Sequence, residues 1–406
     1  MKVLFVTFDY VPYPLFGMGV HVDDLVRELM RAGVDCKIAT VNRYGIVKDS
    51  NDVICAPCLN GDSNRKKMNC SCTVHDPHCF DGLADKVFRF CEKKSWRPDL
   101  IHLHGWPMAR CSRKLAEGFR VPLLSTLHFL DIQYEKMKGG HPLGKSQKPE
   151  ILRREREMVL WSDRLISISS FGKKLLKAAY PTQVHKTEVI MHGIAVDKVP
   201  PRFWVRNNKI PEVTFVGRLV ADEKGVEEFC EAMQPLCAAG KIKVNVLGSG
   251  ILLPALRKRY GGLFNITGQI PHKEVGRYLL HSDLMVVPSL AEHFGLVVLE
   301  GMAYGAVPIV SRSGAFPEIV EDGRNGFLFS LGRRRARQIL DAESIRAAVL
   351  KAVSRPKREL ENIRKRNRKT VETDFSLRRM AKDTLDYYRR TVPLLPNAHG
   401  GKHNVP

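Results

Sequence analysis

The sequence contains no apolar stretch close to the roughly 20 residues that a membrane-spanning helix needs. It also lacks the marks of a signal peptide. In the opening MKVLFVTFDYVPYP, Asp9 breaks the apolar run, prolines follow, and no small-residue cleavage site is present. This opening predicts a buried first strand. We therefore expect a cytoplasmic protein, either free in solution or peripheral on the cytoplasmic face of a membrane.

Acidic residues are scarce. The 406 residues include 65 Lys and Arg against 43 Asp and Glu, which gives a formal net charge of +22. Such a charge favours nucleic acid, an anionic membrane surface or anionic substrates as partners. No helix-turn-helix, zinc-finger or RNA-recognition signature is present, so we expect no nucleic-acid partner. The basic runs at 332–337 and 354–369 are typical of solvated helix faces, and an anionic membrane surface is the alternative.

A disulfide framework is not expected, because the ten cysteines belong to an apparently cytosolic chain. Half of them crowd into one region: Cys55, Cys58, Cys70, Cys72 and Cys79. The Cys55-x-x-Cys58 spacing is that of metal ligands, and the later cysteines complete a candidate structural zinc site. The alternative is a set of unligated thiols in a surface insertion at about 55–80.

The chain is too long for one comfortable core, and its pattern repeats in two halves. Continuous apolar runs such as KVLFVTF alternate with helical periods, which predicts doubly wound parallel sheets. A proline-containing stretch without periodicity, 199–212, is the predicted linker. We expect an N-terminal Rossmann-like domain at 1–198, a C-terminal one at 213–375 and a flexible tail at 393–406. Ligands of such sheets bind at the carboxyl ends of the strands, so an active site between the halves is predicted.

Two carboxylates flank an apolar run in the second half, Glu292 before it and Glu300 inside it. LMVVPS is a predicted strand and Leu296 begins a predicted helix, which places Glu292 in the loop between them. The glycine-containing helix start at 294–296 offers backbone N–H groups and a positive dipole end to phosphate or sugar oxygens. Two acceptors around such a start suit a nucleotide sugar.

The segment from Glu292 to Glu300, followed by GMAYGAVPIVSRSGAFPEIVEDGRNGFLF, resembles the E-x7-E signature of the family-4 retaining glycosyltransferases. The resemblance extends over RPDLIHLHGW, PLLSTLH, FVGRLVADEKG and FSLRRMAKDTLDYYRRT. It implies the GT-B fold, with two facing Rossmann-like domains, the active site in the cleft between them, and a last helix at 376–392 that crosses back to the N-terminal domain. The start of the chain and ATVNRYG also resemble the glycogen and starch synthase branch.

The resemblance gives a role to each matching residue around the signature. Glu292 matches the acidic residue that contacts hydroxyls of the transferred sugar. Phe294, Gly295 and Leu296 match the segment whose backbone amides hold sugar and phosphate. Glu300 matches the acceptor for the ribose hydroxyls.

Further residues match the family outside the signature. Arg218 and Lys224 match the pair that grips the diphosphate and neutralises the charge that develops as it leaves. Gly17 and Gly19, expected in the loop after the first strand, match glycines that let the backbone approach the phosphates. His128 matches a histidine placed near the transferred sugar.

The resemblance implies a retaining transferase that moves a hexosyl unit from a UDP-, GDP- or ADP-sugar to a hydroxyl acceptor, without a required cofactor or catalytic metal. The acceptor is a glycolipid, a glycan or a small molecule. Glucan elongation of the glycogen-synthase kind is an alternative, although Leu15 and Phe16 replace the lysine of that branch. A sugar-nucleotide epimerase and a non-catalytic, basic surface-binding protein are further alternatives. The sequence leaves the base, the sugar and the acceptor open.

Overall fold

Two compact units make up the chain. The computed structural model describes residues 1–11, 17–42, 49–57, 80–131, 148–196, 208–221, 224–334 and 337–392. The N-terminal unit comprises Met1–Glu135, His141–Met191 and Leu377–Pro406, and the C-terminal unit comprises Lys136–Gly140 and His192–Ser376. Most of the predicted linker, residues 199–207, and the predicted tail, 393–406, lie outside the described residues.

A parallel sheet forms the centre of the N-terminal unit. Its described strands are β1 (Lys2–Thr7), β2 (Asp35–Asn42), β3 (Val53–Pro57), β4 (Leu100–His104), β5 (Leu123–Leu127), β6 (Arg164–Ser167) and β7 (Thr187–Val189). They are ordered β3-β2-β1-β4-β5-β6-β7, and every pair is parallel. Apart from Lys2, the residues of β1 are buried, as an apolar strand covered on both faces requires.

Helices connect these strands: α1 (Gly17–Arg31), α2 (Asp81–Lys93), α3 (Ala109–Phe119), α4 (Lys148–Trp161) and α5 (Ser170–Ala179). In α1 the apolar residues recur with a helical period, and Val22, Leu25 and Leu29 are buried. The helix stops before Gly33, whose φ of 86° is the left-handed conformation that commonly follows a helix end.

The C-terminal unit repeats this design. Its described strands are β8 (Glu212–Val216), β9 (Lys243–Leu247), β10 (Asn265–Gly268), β11 (Leu284–Val287), β12 (Val307–Ser311) and β13 (Phe327–Phe329). The sheet order is β10-β9-β8-β11-β12-β13, again parallel throughout. A separate antiparallel hairpin pairs β14 (Gly332–Arg334) with β15 (Arg337–Ile339).

The helices of the C-terminal unit are α6 (Val226–Ala238), α7 (Leu253–Tyr260), α8 (His272–His281), α9 (Leu296–Ala303), α10 (Phe316–Ile319), α11 (Ala342–Val353) and α12 (Lys357–Asp374). In both sheets the strand order reverses beside the first strand, at β1 and at β8. Ligands of doubly wound sheets bind beyond the carboxyl ends of the strands at such a reversal. The predicted pair of doubly wound parallel-sheet domains is confirmed.

The last helix, α13 (Leu377–Thr391), belongs to the N-terminal unit. Tyr388 is fully buried, and its hydroxyl lies 2.6 Å from Nδ1 of His102 in β4. Tyr387 donates its hydroxyl proton to the carbonyl oxygen of Lys186 at 2.9 Å. Within the described part of the chain, no helix is long and apolar enough to span a bilayer.

The basic run of α12 is not the uniform solvated face that its composition predicts. Arg364 is 2% exposed. Its Nε donates to the carbonyl oxygen of Gly305 at 3.0 Å, and its Nη2 lies 3.1 Å from Oδ1 of Asp283. The reason is the helix period, which turns this guanidinium inward with Leu360 and Ile363, both of them buried.

Candidate functional site

Lys224 and Glu292, which lie 68 positions apart, meet in the C-terminal unit. Nζ of Lys224 lies 2.9 Å from Oε2 of Glu292. The two side chains are only 20% and 19% exposed, so solvent screens this ion pair less than a pair on the open surface. The structure therefore joins a residue expected to bind phosphate to one expected to bind the sugar.

Gly225 explains why Lys224 lies so close to the loop that carries Glu292. Its φ is +67°, and a methyl group on its Cα would lie 2.5 Å from the carbonyl oxygen of Pro288. Pro288 directly follows β11, and Glu292 lies four positions further along the same loop. A side chain at position 225 would push the start of α6 off this loop, so only glycine permits the close approach.

The segment after β12 holds the backbone of Glu292 from the other side. Ala315 donates its N–H to the carbonyl oxygen of Glu292 at 2.9 Å. Gly314 has a φ of +56°, and a methyl group there would lie 2.0 Å from the same oxygen. SRSGA is part of the family signature, but the sequence alone predicts no role for it. Its glycine is the one feature that could have indicated this close approach of two backbones.

Helix α9 begins at the predicted position, directly after Gly295. Gly295 has a φ of +102°. The first N–H groups of an α-helix have no partner inside the helix, so this start offers donors beside Glu292. Phe294 is 3% exposed, and its ring packs on that of His192 with centroids 5.0 Å apart. The side chain of Phe294 is therefore a core group, and only its backbone is available to a ligand.

Glu300 lies one turn into α9 and has a partner that the sequence did not predict. Its Oε1 lies 3.0 Å from Nε2 of His272, the first residue of α8. The carboxylate is 25% exposed and the imidazole 77%. This carboxylate and burial together raise the pKa of Tyr304, with burial the larger cause.

Arg218 is exposed in the loop after β8, and a glycine turn holds that loop. Gly248 has a φ of +138°, and a methyl group on it would lie 1.9 Å from the carbonyl oxygen of Gly217. Leu219 donates its N–H to the carbonyl oxygen of Ser249 at 2.9 Å. Because β8 and β11 are parallel neighbours, the loop of Arg218 leaves the sheet at the same edge as the loop of Glu292.

His293 occupies the position where the family pattern has proline, and the structure buries it. Its side chain is 9% exposed. Burial, and secondarily the positive charge of Lys224, lower its pKa to about 3. The imidazole is therefore neutral at physiological pH.

Three histidines meet in the N-terminal unit, and we name them the histidine cluster: His21, His104 and His128. One ring nitrogen of each lies within 4.8 Å of those of the others. Nδ1 of His104 lies 2.9 Å from Nε2 of His128. The topology explains the meeting, because α1, β4 and β5 all approach the point where the sheet order reverses. From the sequence, His128 is predicted to lie near the transferred sugar, and His21 and His104 are further candidates, with a bond to a nearby carbonyl as the alternative for both.

Gly17 and Gly19 do not lie in a loop, which corrects the expectation for them. Both belong to the first turn of α1, and Gly19 donates its N–H to Oδ2 of Asp9 at 3.0 Å. The carboxylate of Asp9, two residues after β1, favours this early start, because negative charge stabilises a helix N-terminus. The N–H of Gly19 is therefore already bonded.

Cys55 lies in β3 rather than in an insertion. It pairs with Thr40 of β2 and is buried. Burial raises the pKa of its thiol to about 12, which disfavours the thiolate that a metal needs. The other four cysteines of the zinc prediction lie outside the described residues: Cys58, Cys70, Cys72 and Cys79.

Comparison with known proteins agrees with this architecture. The chain is 26% identical over 353 residues to the glycogen synthase of Mycobacterium tuberculosis (strain CDC 1551 / Oshkosh), covering 80% of this chain and 81% of that one. The sucrose-phosphate synthase of Thermosynechococcus elongatus matches with a TM-score of 0.76 and 19% identity, covering 96% of this chain and 98% of that one. HepE of Anabaena, in complex with UDP-glucose, matches with a TM-score of 0.69 and 16% identity, covering 96% and 100%. Both of these solved structures share the fold of this chain.

Family models match both units of the chain. Residues 17–198 match the model described as Glycosyltransferase Family 4, and residues 210–354 match the model described as Glycosyl transferases group 1. The resemblance based on Glu292 and Glu300 is thereby confirmed at the level of the family. The chain belongs to the glycosyltransferases with an N-terminal family 4 domain and a C-terminal group 1 domain.

Proposed function

We propose that this glycosyltransferase is a retaining enzyme that moves a hexosyl unit from a nucleoside diphosphate sugar to a hydroxyl acceptor. The observation that carries the proposal is the pair formed by Lys224 and Glu292 beside the start of α9. It combines a cation for phosphate, a carboxylate for sugar hydroxyls and a helix start for anionic oxygens.

The ion pair implies an exchange of partners when the donor binds. A diphosphate offers Lys224 more negative charge than one carboxylate, so Lys224 turns to it and Glu292 becomes available to the sugar hydroxyls. Arg218 and Lys224 then stabilise the charge that develops as the diphosphate leaves. In the proposed same-face attack, the acceptor oxygen forms the new bond to the anomeric carbon, the bond to the diphosphate breaks, and the leaving phosphate takes the acceptor proton.

The proposed donor is a UDP-, GDP- or ADP-sugar. The complex of HepE with UDP-glucose supports this class of ligand for the shared fold. We assign Glu300 to the ribose hydroxyls and the amides of residues 294–296 to sugar and phosphate. The N-terminal unit would bind the acceptor, with His128 near the transferred sugar. Glucan elongation is a second candidate, favoured by the similarity to glycogen synthase.

The first experiment is a thermal-shift screen with UDP, GDP and ADP, followed by assay of the donor that matches the nucleotide bound. A ligand at 100 times its Kd stabilises a protein by about 2.7 kcal/mol, which shifts the melting temperature measurably. Release of nucleoside diphosphate should require an acceptor, tested first with glycogen and then with a panel of glycolipid and small-molecule acceptors. An unchanged melting temperature with every nucleotide would contradict the proposal.

The second experiment tests the diphosphate ligands directly. Arg218→Ala and Lys224→Ala should each reduce turnover by about 10²–10³, the usual effect of losing one preorganised charge-stabilising group. Lys241→Ala is the matched control, since this lysine is exposed in the same unit. Near wild-type turnover in both Arg218→Ala and Lys224→Ala would show that the site lies elsewhere.

A further inference from the structure

The histidine cluster has more ligand chemistry than the proposed transferase uses. His21 is 7% exposed and His104 is fully buried, whereas His128 is partly exposed. The rings approach one another directly, with 5.0 Å between the centroids of His21 and His128 and 5.2 Å between those of His104 and His128. Three imidazoles on three different elements therefore converge at one point of the N-terminal unit.

The spacing can accommodate a metal ion if the side chains rotate. Two metal–nitrogen bonds of about 2.0–2.1 Å at a tetrahedral angle separate their nitrogens by about 3.3 Å. The nitrogens of His104 and His128 are 2.9 Å apart, and all three ligand nitrogens lie within 4.8 Å. Opening the hydrogen-bonded pair to about 3.3 Å takes a few tenths of an ångström, and bringing in a nitrogen from as far as 4.8 Å takes a side-chain movement of up to about 1.5 Å. Three protein ligands leave a fourth position for water or another ligand.

The donor set selects the class of ion. The cluster consists of imidazoles only, which suit Zn²⁺, Ni²⁺ and Cu²⁺. Mg²⁺ and Ca²⁺ prefer oxygen ligands, which this group does not contain. The neighbouring His102, whose ring centroid lies 4.1 Å from that of His104, is not a further ligand, because its Nδ1 lies 2.6 Å from the hydroxyl of Tyr388 and its Nε2 lies 2.7 Å from that of Thr126.

We propose that His21, His104 and His128 form a binding site for a divalent late transition-metal ion such as Zn²⁺ or Ni²⁺. The ion enters from the side of His128, the partly exposed member of the cluster. Binding requires that the proton shared by His104 and His128 leave the nitrogens that become ligands. The cluster belongs to the N-terminal unit, and its His128 is also the residue that we place near the transferred sugar.

The test is equilibrium dialysis of the full-length protein against Ni²⁺, with bound nickel measured by elemental analysis. Wild type should bind one equivalent more than His21→Gln and His128→Gln, whose affinity at this site should fall by at least about 10–100-fold. His185→Gln, an exposed histidine of the same unit, is the matched control and should bind as wild type does. The cysteine-rich segment is unchanged in all variants, so its contribution cancels in the difference.

Equal nickel binding by wild type, both cluster variants and the control would overturn the proposal. Circular dichroism verifies that each variant is folded. If His21→Gln is unfolded, His128→Gln keeps the test valid, because its side chain is partly exposed. The measurement uses no sugar donor, so it stands even if the proposed transferase function fails.

Discussion

At the scale of single residues, the two glutamates of the signature have different surroundings. Glu292, in the loop before α9, pairs with Lys224, whereas Glu300 lies one turn into α9 beside His272. The ribose and the sugar are attached to opposite ends of the diphosphate in the proposed donor. The two carboxylates should therefore be separable by ligands that lack one of these ends.

Glu300→Ala should weaken binding of the nucleoside diphosphate identified by the screen. Hydrogen bonds to a charged group contribute about 1.5–3 kcal/mol, so the Kd should rise by about 10–150-fold. Glu292→Ala should bind the same nucleoside diphosphate as wild type does while sugar transfer falls. Isothermal titration calorimetry measures both. Equal affinity in the two variants would refute the ribose role of Glu300.

His293 makes stability depend on pH. Its folded-state pKa of about 3 lies below the usual value of 6.5, so the unfolded chain binds more protons between these values. The stability that the neutral ring contributes is complete above pH 6.5 and is lost as the pH falls toward 3.

Between pH 7 and pH 5, this one group should lower the free energy of unfolding by about 2 kcal/mol. Urea unfolding of wild type and His293→Gln at both pH values checks this, with the exposed His281→Gln as the control. The dependence on pH should be weaker in His293→Gln alone. The same pH dependence in all three proteins would show that the buried imidazole is not responsible.

At the scale of elements, glycines determine how the loops of the donor site approach one another. Gly225 and Gly240 provide a matched pair in the C-terminal unit, with φ values of +67° and +66°. A methyl group on Gly225 would meet Pro288, whereas one on Gly240 would meet nothing within 4 Å. The two positions have nearly the same φ and differ in their surroundings.

Gly240→Ala should lower the free energy of unfolding by about 1–2 kcal/mol, because alanine is strained in the left-handed conformation. It should leave nucleotide affinity unchanged. Gly225→Ala should cost more and also weaken binding of the nucleoside diphosphate, because it displaces Lys224 from the loop of Glu292. Thermal unfolding and calorimetry measure the two effects. If both variants bind the nucleotide as tightly as wild type, the packing at Gly225 does not position the site.

Long apolar runs allowed most of the fold to be predicted. KVLFVTF contains β1, and the apolar run after Phe294 contains α9. Elements that are buried on both faces have continuous apolar sequences, which makes them easy to predict. The short β7 has no such apolar run, because only the first of its three residues is buried.

The carboxylates of the site were predicted from the signature. Their partners were not, because His272 lies 28 positions from Glu300 and spacing does not reveal such contacts.

At the scale of the whole molecule, the net charge of +22 remains the basis for a membrane prediction. The side chain of Arg364 is buried and is therefore not available to a membrane surface. Other basic residues of α12 are exposed: Lys357, Arg358, Lys365, Arg366 and Lys369. Clustered basic residues near anionic lipid gain about 1 kcal/mol each. A neutral glucan acceptor would give no reason for this charge.

We predict that the protein floats with anionic liposomes at low salt and is released at high salt, since exposed charges are screened within about 8 Å at physiological ionic strength. Neutral liposomes are the lipid control. Arg358 and Lys365 are seven residues apart in α12 and therefore lie on the same face of the helix. The double variant Arg358→Glu and Lys365→Glu should float less than wild type. Failure to float with either lipid would leave the basic face a solvated helix surface and favour a soluble acceptor.

The place of α13 has a consequence for the order in which the protein is made. Tyr388 and His102 are bonded across 286 positions, so the core of the N-terminal unit is completed only by residues that are translated after the C-terminal unit. At about 5–20 residues per second, a ribosome needs roughly 15–60 s to cover that interval. Throughout that time the surface of α1 that α13 covers stays open to water and to chaperones. The unit that begins first is therefore the one that finishes last.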